Sequence, residues 1–167
     1  LAYYGIENYS EALKLGTEAK EIYRKIMGEE HNDYVITLSN LASVYCDLGN
    51  YNEAIRLGIE ATEIRKKILG IEHPRYAISL HNLANYYSFA SNFNEAIKLE
   101  SYAKEILEKN IDTEHPYILS LKSLARDYSN IGNYIESFNC LQQCLSISQP
   151  VVLRNLTEFS SRTRETM

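Results

Sequence analysis

Set out in lines of 42 residues, the chain falls into columns, and no other feature restricts its fold as much. Asn8, Asn50 and Asn92 share a column, and after a one-residue deletion Asn133 joins them. The next column is aromatic throughout: Tyr9, Tyr51, Phe93, Tyr134. Two places on stand Glu11, Glu53, Glu95 and Glu136, followed by Ala12, Ala54, Ala96 and Ser137. Upstream, Tyr3, Tyr45, Tyr87 and Tyr128 align, as do Leu41, Leu83 and Leu124, each with an alanine after it. His31, His73 and His115 mark the start of each unit. A chain with this period must stack similar supersecondary units one upon another.

Each unit reads as two amphipathic helices. Leu38, Leu41, Ala42, Tyr45 and Leu48 recur at steps of three and four, which is one stripe of a helix. Ala54, Leu57, Gly58, Ala61, Ile64 and Ile68 form the stripe of the second. Pro74 and Pro116 suit a first helical position, where a missing N–H costs nothing. Gly49 and Gly132 suit the end of the first helix, because glycine enters the left-handed conformation cheaply. Asn-x-x-Glu then predicts a capping box at the start of every second helix. Ala42 and Ala54 allow the paired helices to approach closely, with Tyr45 and Tyr51 filling the wider space near the turn.

Composition excludes more than it assigns. With 45% apolar residues among 167, the chain can bury a core. A net charge of −5 argues against nucleic acid, which needs a basic face. No apolar stretch approaches the ~20 residues of a membrane span. Three cysteines make a poor disulfide framework, so a reducing, cytoplasmic setting is expected.

The run Gly70-Ile71-Glu72-His73-Pro74, with Ser79-Leu80-His81-Asn82-Leu83-Ala84, Tyr87 and Asn92-Phe93-Asn94-Glu95-Ala96-Ile97, resembles the tetratricopeptide repeat. The likeness is to its long form, as in kinesin light chains. That resemblance covers Leu1 to about Ser148 and implies an all-α fold, a right-handed superhelical solenoid of tandem helix hairpins. Residues 28–69, 70–111 and 112–149 are expected to be whole units. Residues 1–27 would be the end of a first helix plus a second helix. Residues 150–167 would be the first helix of a degenerate or truncated fifth unit, by the echo in Val152-Leu153-Arg154-Asn155-Leu156. Neither end reads as a polar cap, so a piece of a longer array is expected. One departure is Gly16 and Gly58, where the family usually carries an aromatic; glycine there would admit an unusually close neighbour.

Catalytic chemistry finds no support in the residues. His31, His73 and His115 lie one repeat apart, so capping or turn roles are expected rather than a shared metal. Cys140 and Cys144 fall in columns held by Leu57 and Ala61, which predicts buried small side chains rather than zinc ligands. There is no phosphate-binding glycine loop, nucleophile elbow or carboxylate pair, and no cofactor is expected.

In the family, the first helices line a concave groove that takes extended peptides. The matching positions here are Ser39, Asn40, Ser43 and Asp47, then His81, Asn82, Asn85 and Phe89, then Lys122, Ser123, Arg126 and Asn130. Asparagine offers a peptide backbone both donor and acceptor. Lys122 and Arg126 form a small basic patch that would favour an acidic segment. The chaperone-binding carboxylate clamp of the family is absent. The expected function is therefore a scaffold binding a partner's peptide or helix. Two other readings remain. Residues 153–162 resemble the segment preceding a caspase-like peptidase domain in bacterial repeat proteins, which would make the chain an enzyme's docking arm. The ends could also pair in self-association.

Overall fold

The computed structural model describes residues 2–110 and 114–147, with side chains over 8–110 and 115–147. Six helices are α1 (Ala2–Ile26), α2 (Asn32–Asp47), α3 (Tyr51–Leu69), α4 (Pro74–Phe89), α5 (Phe93–Glu108) and α6 (Glu114–Asn130). A seventh, α7, covers 134–147. No strand occurs among the described residues. The fold is an all-α solenoid in which α2–α3, α4–α5 and α6–α7 are successive hairpins. The helix expected over 150–167 lies outside the described residues.

The turn inside each hairpin is built the same way three times. Gly49 and Gly132 take φ of 76° and 78°, and Ser91, in the same column, is forced to 61°. This left-handed step swings the following asparagine back under the helix. The N–H groups of Asn50, Asn92 and Asn133 donate to the carbonyls of Tyr45, Tyr87 and Tyr128, each at 2.8 Å. The capping box is thereby reduced to half. With the asparagine N–H already bonded, the glutamate has nothing to accept, and Glu53 turns instead to Arg56 at 2.6 Å and 2.9 Å. The side-chain cap bond forms at Asn50 and Asn133, both 3.3 Å from the N–H three residues on, and not at Asn92.

The first unit departs from expectation. A turn before Asn8 is absent, because Ala2–Ile26 is one continuous helix with Asn8 inside it. The column that holds Gly49, Ser91 and Gly132 holds Glu7 there, and glutamate favours the right-handed helical conformation that the turn must leave.

Between units, His31 and His73 cap the next helix through Nδ1, which accepts from Asp33 and Arg75 N–H at 3.3 Å and 3.0 Å. Pro74 stands in the first turn of α4. His115 does not repeat the cap; it and Pro116 lie inside α6, because the one-residue deletion falls just ahead of Tyr117 and shifts them inward. Outside, Lys67 bonds Glu30 and Lys109 bonds Glu72 one repeat later. Such exposed pairs add little.

Small residues set the packing. Ala42, Ala54, Ala96 and Ala103 are fully buried. A side chain on Gly58 would meet Tyr86 at 3.0 Å and Leu83 at 3.1 Å, and one on Gly16 would meet Leu41 at 2.7 Å. The glycine column is thus where one unit's second helix touches the next unit's first. Cys140 and Cys144 are buried beside Leu121 and Leu124, as their columns predict. Ile68 departs from its stripe and is exposed. The last helix, α7, leaves Ile135, Phe138 and Leu145 uncovered.

First helices also meet one another. α2 packs against α4 and α4 against α6, whereas α3 and α5 form no comparable contact. Stacking that is tighter on one side than on the other curves the ribbon toward α2, α4 and α6. Those three helices line its inner face.

Candidate peptide-binding groove

On that inner face α2 and α4 enclose an open pocket of about 350 Å³, lined by Ser43, Cys46, Asp47, Asn82, Asn85, Tyr86 and Phe89. Five of these, Ser43, Asp47, Asn82, Asn85 and Phe89, were expected from the sequence. Cys46 and Tyr86 were not. Tyr86 packs its ring on Gly58 and sends its hydroxyl across to α2, 3.0 Å from the Ser43 hydroxyl and 3.4 Å from the Ser39 carbonyl. Phe89 is exposed, and its ring stacks on Tyr51 with centroids 6.4 Å apart and planes 12° from parallel. The stack holds an aromatic face at the pocket's rim.

The charge of this pocket is simple. Burial pushes the Cys46 thiol up from its ordinary range, and Asp47 adds to that. Burial does the same to the Tyr86 phenol, against a smaller opposing effect of the Ser43 hydrogen bond. Both groups stay neutral at ordinary pH. Asp47 is the only formal charge among the seven lining residues, and it forms no ion pair with a described residue.

One repeat further, the expected residues are engaged with one another. The His81 Nδ1 lies 2.9 Å and 3.1 Å from the two oxygens of Glu100, a fully buried carboxylate on α5. Asn85 Nδ2 lies 3.0 Å from His81 Nε2, and Arg126 Nη2 donates to Asn85 Oδ1 at 2.9 Å. Arg126 Nε donates to Asp127 at 3.1 Å, and the Ser88 hydroxyl donates to the same Asp127 oxygen at 2.6 Å. The chain of bonds closes when His81 donates from Nδ1 and accepts at Nε2. It ties α4, α5 and α6 together.

This network corrects two expectations. His81 is not a free groove donor; its ring is turned into the hairpin by Glu100 and borders a second pocket of about 260 Å³ with Asn82, Leu107 and Leu119. The basic patch of Lys122 and Arg126 is halved, because Asp127 and Asn85 already hold the guanidinium. Lys122 itself is exposed. Ser123 is buried at 8% exposure and offers the groove little. Asn40 belongs to a third hollow, about 450 Å³, between α1 and α2 with Leu15 and Val44. Ser39 and Ser43 spend their hydroxyls on the Val35 and Ser39 carbonyls. Asn130 is exposed at the end of α6.

Glu100 and Asp127 went unnoticed in the sequence, although each leaves a signal. Glu100 stands in the column of Gly16 and Gly58, and Asp127 in that of Val44 and Tyr86. A charge in an otherwise buried column marks a polar core contact.

Helical hairpins stacked with their first helices inward define a repeat scaffold for protein interaction. Family profiles for the tetratricopeptide repeat match residues 1–67, 33–109 and 118–152. The chain belongs to the tetratricopeptide-repeat family, of kinesin-light-chain type. Among solved structures it is similar to the nearly identical TPR-like repeats of a kinesin-light-chain type protein from Podosopora anserina. The identity is 29% over 89% of this chain and 72% of that one, with a TM-score of 0.76. A variant of the same repeats gives 29% over 89% and 71%, with 0.77. BtubC (BKLC) from P. vanneervenii shares the fold at TM-score 0.82 and 18% identity, over 87% of this chain and 58% of its own length. No curated protein matches the chain. No described helix is long and apolar enough to cross a membrane.

Proposed function

We propose that the inner face of α2, α4 and α6 holds an extended peptide or a helix of a partner protein, and that this is the chain's function. The observation that carries the reading is the open pocket between α2 and α4. There, exposed Asp47 and Phe89 and half-buried Asn82 and Asn85 converge on one hollow. Polar amides beside an apolar ring suit a peptide, which brings backbone donors and acceptors together with side chains. Replacing Asn82 and Phe89 by alanine should remove binding of a partner captured by the intact chain while leaving the helical circular dichroism unchanged. Capture that survives the double substitution argues against the groove. Residues 153–162, which carry the docking-arm reading, lie outside the described residues.

A further inference from the structure

The pocket between α2 and α4 also has a preferred guest. Resting on the groove reading above, we infer that it selects a basic side chain, lysine or arginine, from the bound peptide. Three observations point that way. Asp47 is the one formal charge lining the pocket and forms no ion pair with a described residue. The neighbouring cation, Arg126, is already paired with Asp127, bonds Asn85 and is not among the residues that line the pocket. Phe89, exposed and stacked on Tyr51, presents an aromatic face on which a cation can rest.

The remaining lining groups fit the same guest. Asn82 carries an amide oxygen, the Asn85 oxygen already accepts from Arg126, and the hydroxyls of Ser43 and Tyr86 can accept as well as donate. No lysine, arginine or histidine is among the seven lining residues, so nothing cationic lines the wall to repel an ammonium or guanidinium. An acidic side chain would face Asp47 directly. It would find no unpaired cation within the pocket. The charge pattern therefore opposes the acidic partner that Lys122 and Arg126 suggest in the sequence, and it places the discriminating carboxylate on α2.

Selection of a random-sequence peptide library on the intact chain tests this. Selected peptides should be enriched in lysine or arginine and lose binding to the Asn82→Ala/Phe89→Ala chain. Their affinity should fall roughly 3- to 10-fold with Asp47→Asn. Asp47→Lys should shift the enrichment to aspartate and glutamate. Asp47 is exposed, so neither change disturbs the fold, and thermal melts verify it. Peptides that need Asn82 and Phe89, yet show no basic enrichment and ignore Asp47→Asn, overturn this inference and leave the groove standing. A selection yielding no peptide sensitive to Asn82→Ala/Phe89→Ala overturns both.

Discussion

Two junctions one repeat apart, α3 against α4 and α5 against α6, solve the same packing problem with opposite chemistry. At the first, the second-helix position is Gly58 and the first-helix position is Tyr86, a small residue against a large ring. At the second, the same columns hold Glu100 and Asp127. Bulk has moved from one helix to the other, and the second junction carries two carboxylates that bond other side chains, Glu100 to His81 and Asp127 to Ser88 and Arg126. Both are sealed: Tyr86 is 5% exposed, Glu100 0% and Asp127 1%. Tyr86 reaches Ser43 on α2, and Arg126 reaches Asn85 on α4, from neighbouring columns. The repeat thus fixes where helices meet and leaves free what meets there. An apolar junction tolerates loss only as a cavity, whereas a polar one fails when a partner is left unpaired.

Tyr86→Ala should have the largest effect. Emptying a buried ring site costs about 3 kcal/mol or more and also removes the α2–α4 bridge, to be read as a lowered urea midpoint. Glu100→Gly, which copies the first junction's small residue into the second, should cost about 1–3 kcal/mol, since His81 loses its acceptor. Adding Asp127→Tyr should recover much of that loss, because it restores the small-against-large pairing and removes a buried charge. Strict additivity of the two changes would break the comparison.

Smaller effects sharpen it. Ala54→Leu, inside the fully buried α2–α3 contact, should overpack and cost roughly 1–3 kcal/mol. An unchanged thermal midpoint would refute close approach there. Ser91→Gly should stabilise by about 1 kcal/mol, since φ of 61° strains serine and suits glycine. A differential scanning trace that shows no rise would mean that the turn is not strained.

The pH response reads two raised phenols, Tyr34 in the α2–α3 hairpin and Tyr117 at the second junction. Burial, with Glu60 adding to it, pushes Tyr34 up to about 12, and burial with Glu108 does the same to Tyr117 at the second junction. The folded state therefore favours the neutral phenol. Its contribution is complete below the unfolded value near 10 and is lost as pH rises from there toward 12. Melting temperatures should fall over that interval, and less steeply in Tyr117→Phe.

The fold was legible because its signals were redundant. The glycine turns, the alanine contacts and the leucine stripes each repeat, so one irregular unit cannot hide the period. What was missed is singular. Glu7 replaces a turn glycine and lets α1 run through Asn8. The deletion before Tyr117 moves His115 out of its capping place. Five groove residues in one pocket could be placed by column alone, whereas Tyr86 enters it from a column whose members, Val44, Tyr86 and Asp127, share no chemistry. Whether His81 and Arg126 face a ligand or a neighbour depends on Glu100 and Asp127, and pairing between distant helices is not written in the period.

Amide chemical-shift mapping with one selected peptide is the most direct measurement. A peptide seated in the groove should give saturable shifts concentrated at Asp47, Asn82, Asn85 and Phe89 on the inner wall, with α3 and α5 little changed on their outer faces. Shifts centred on α7 or on the outer faces of α3 and α5, with that inner wall silent, would contradict it.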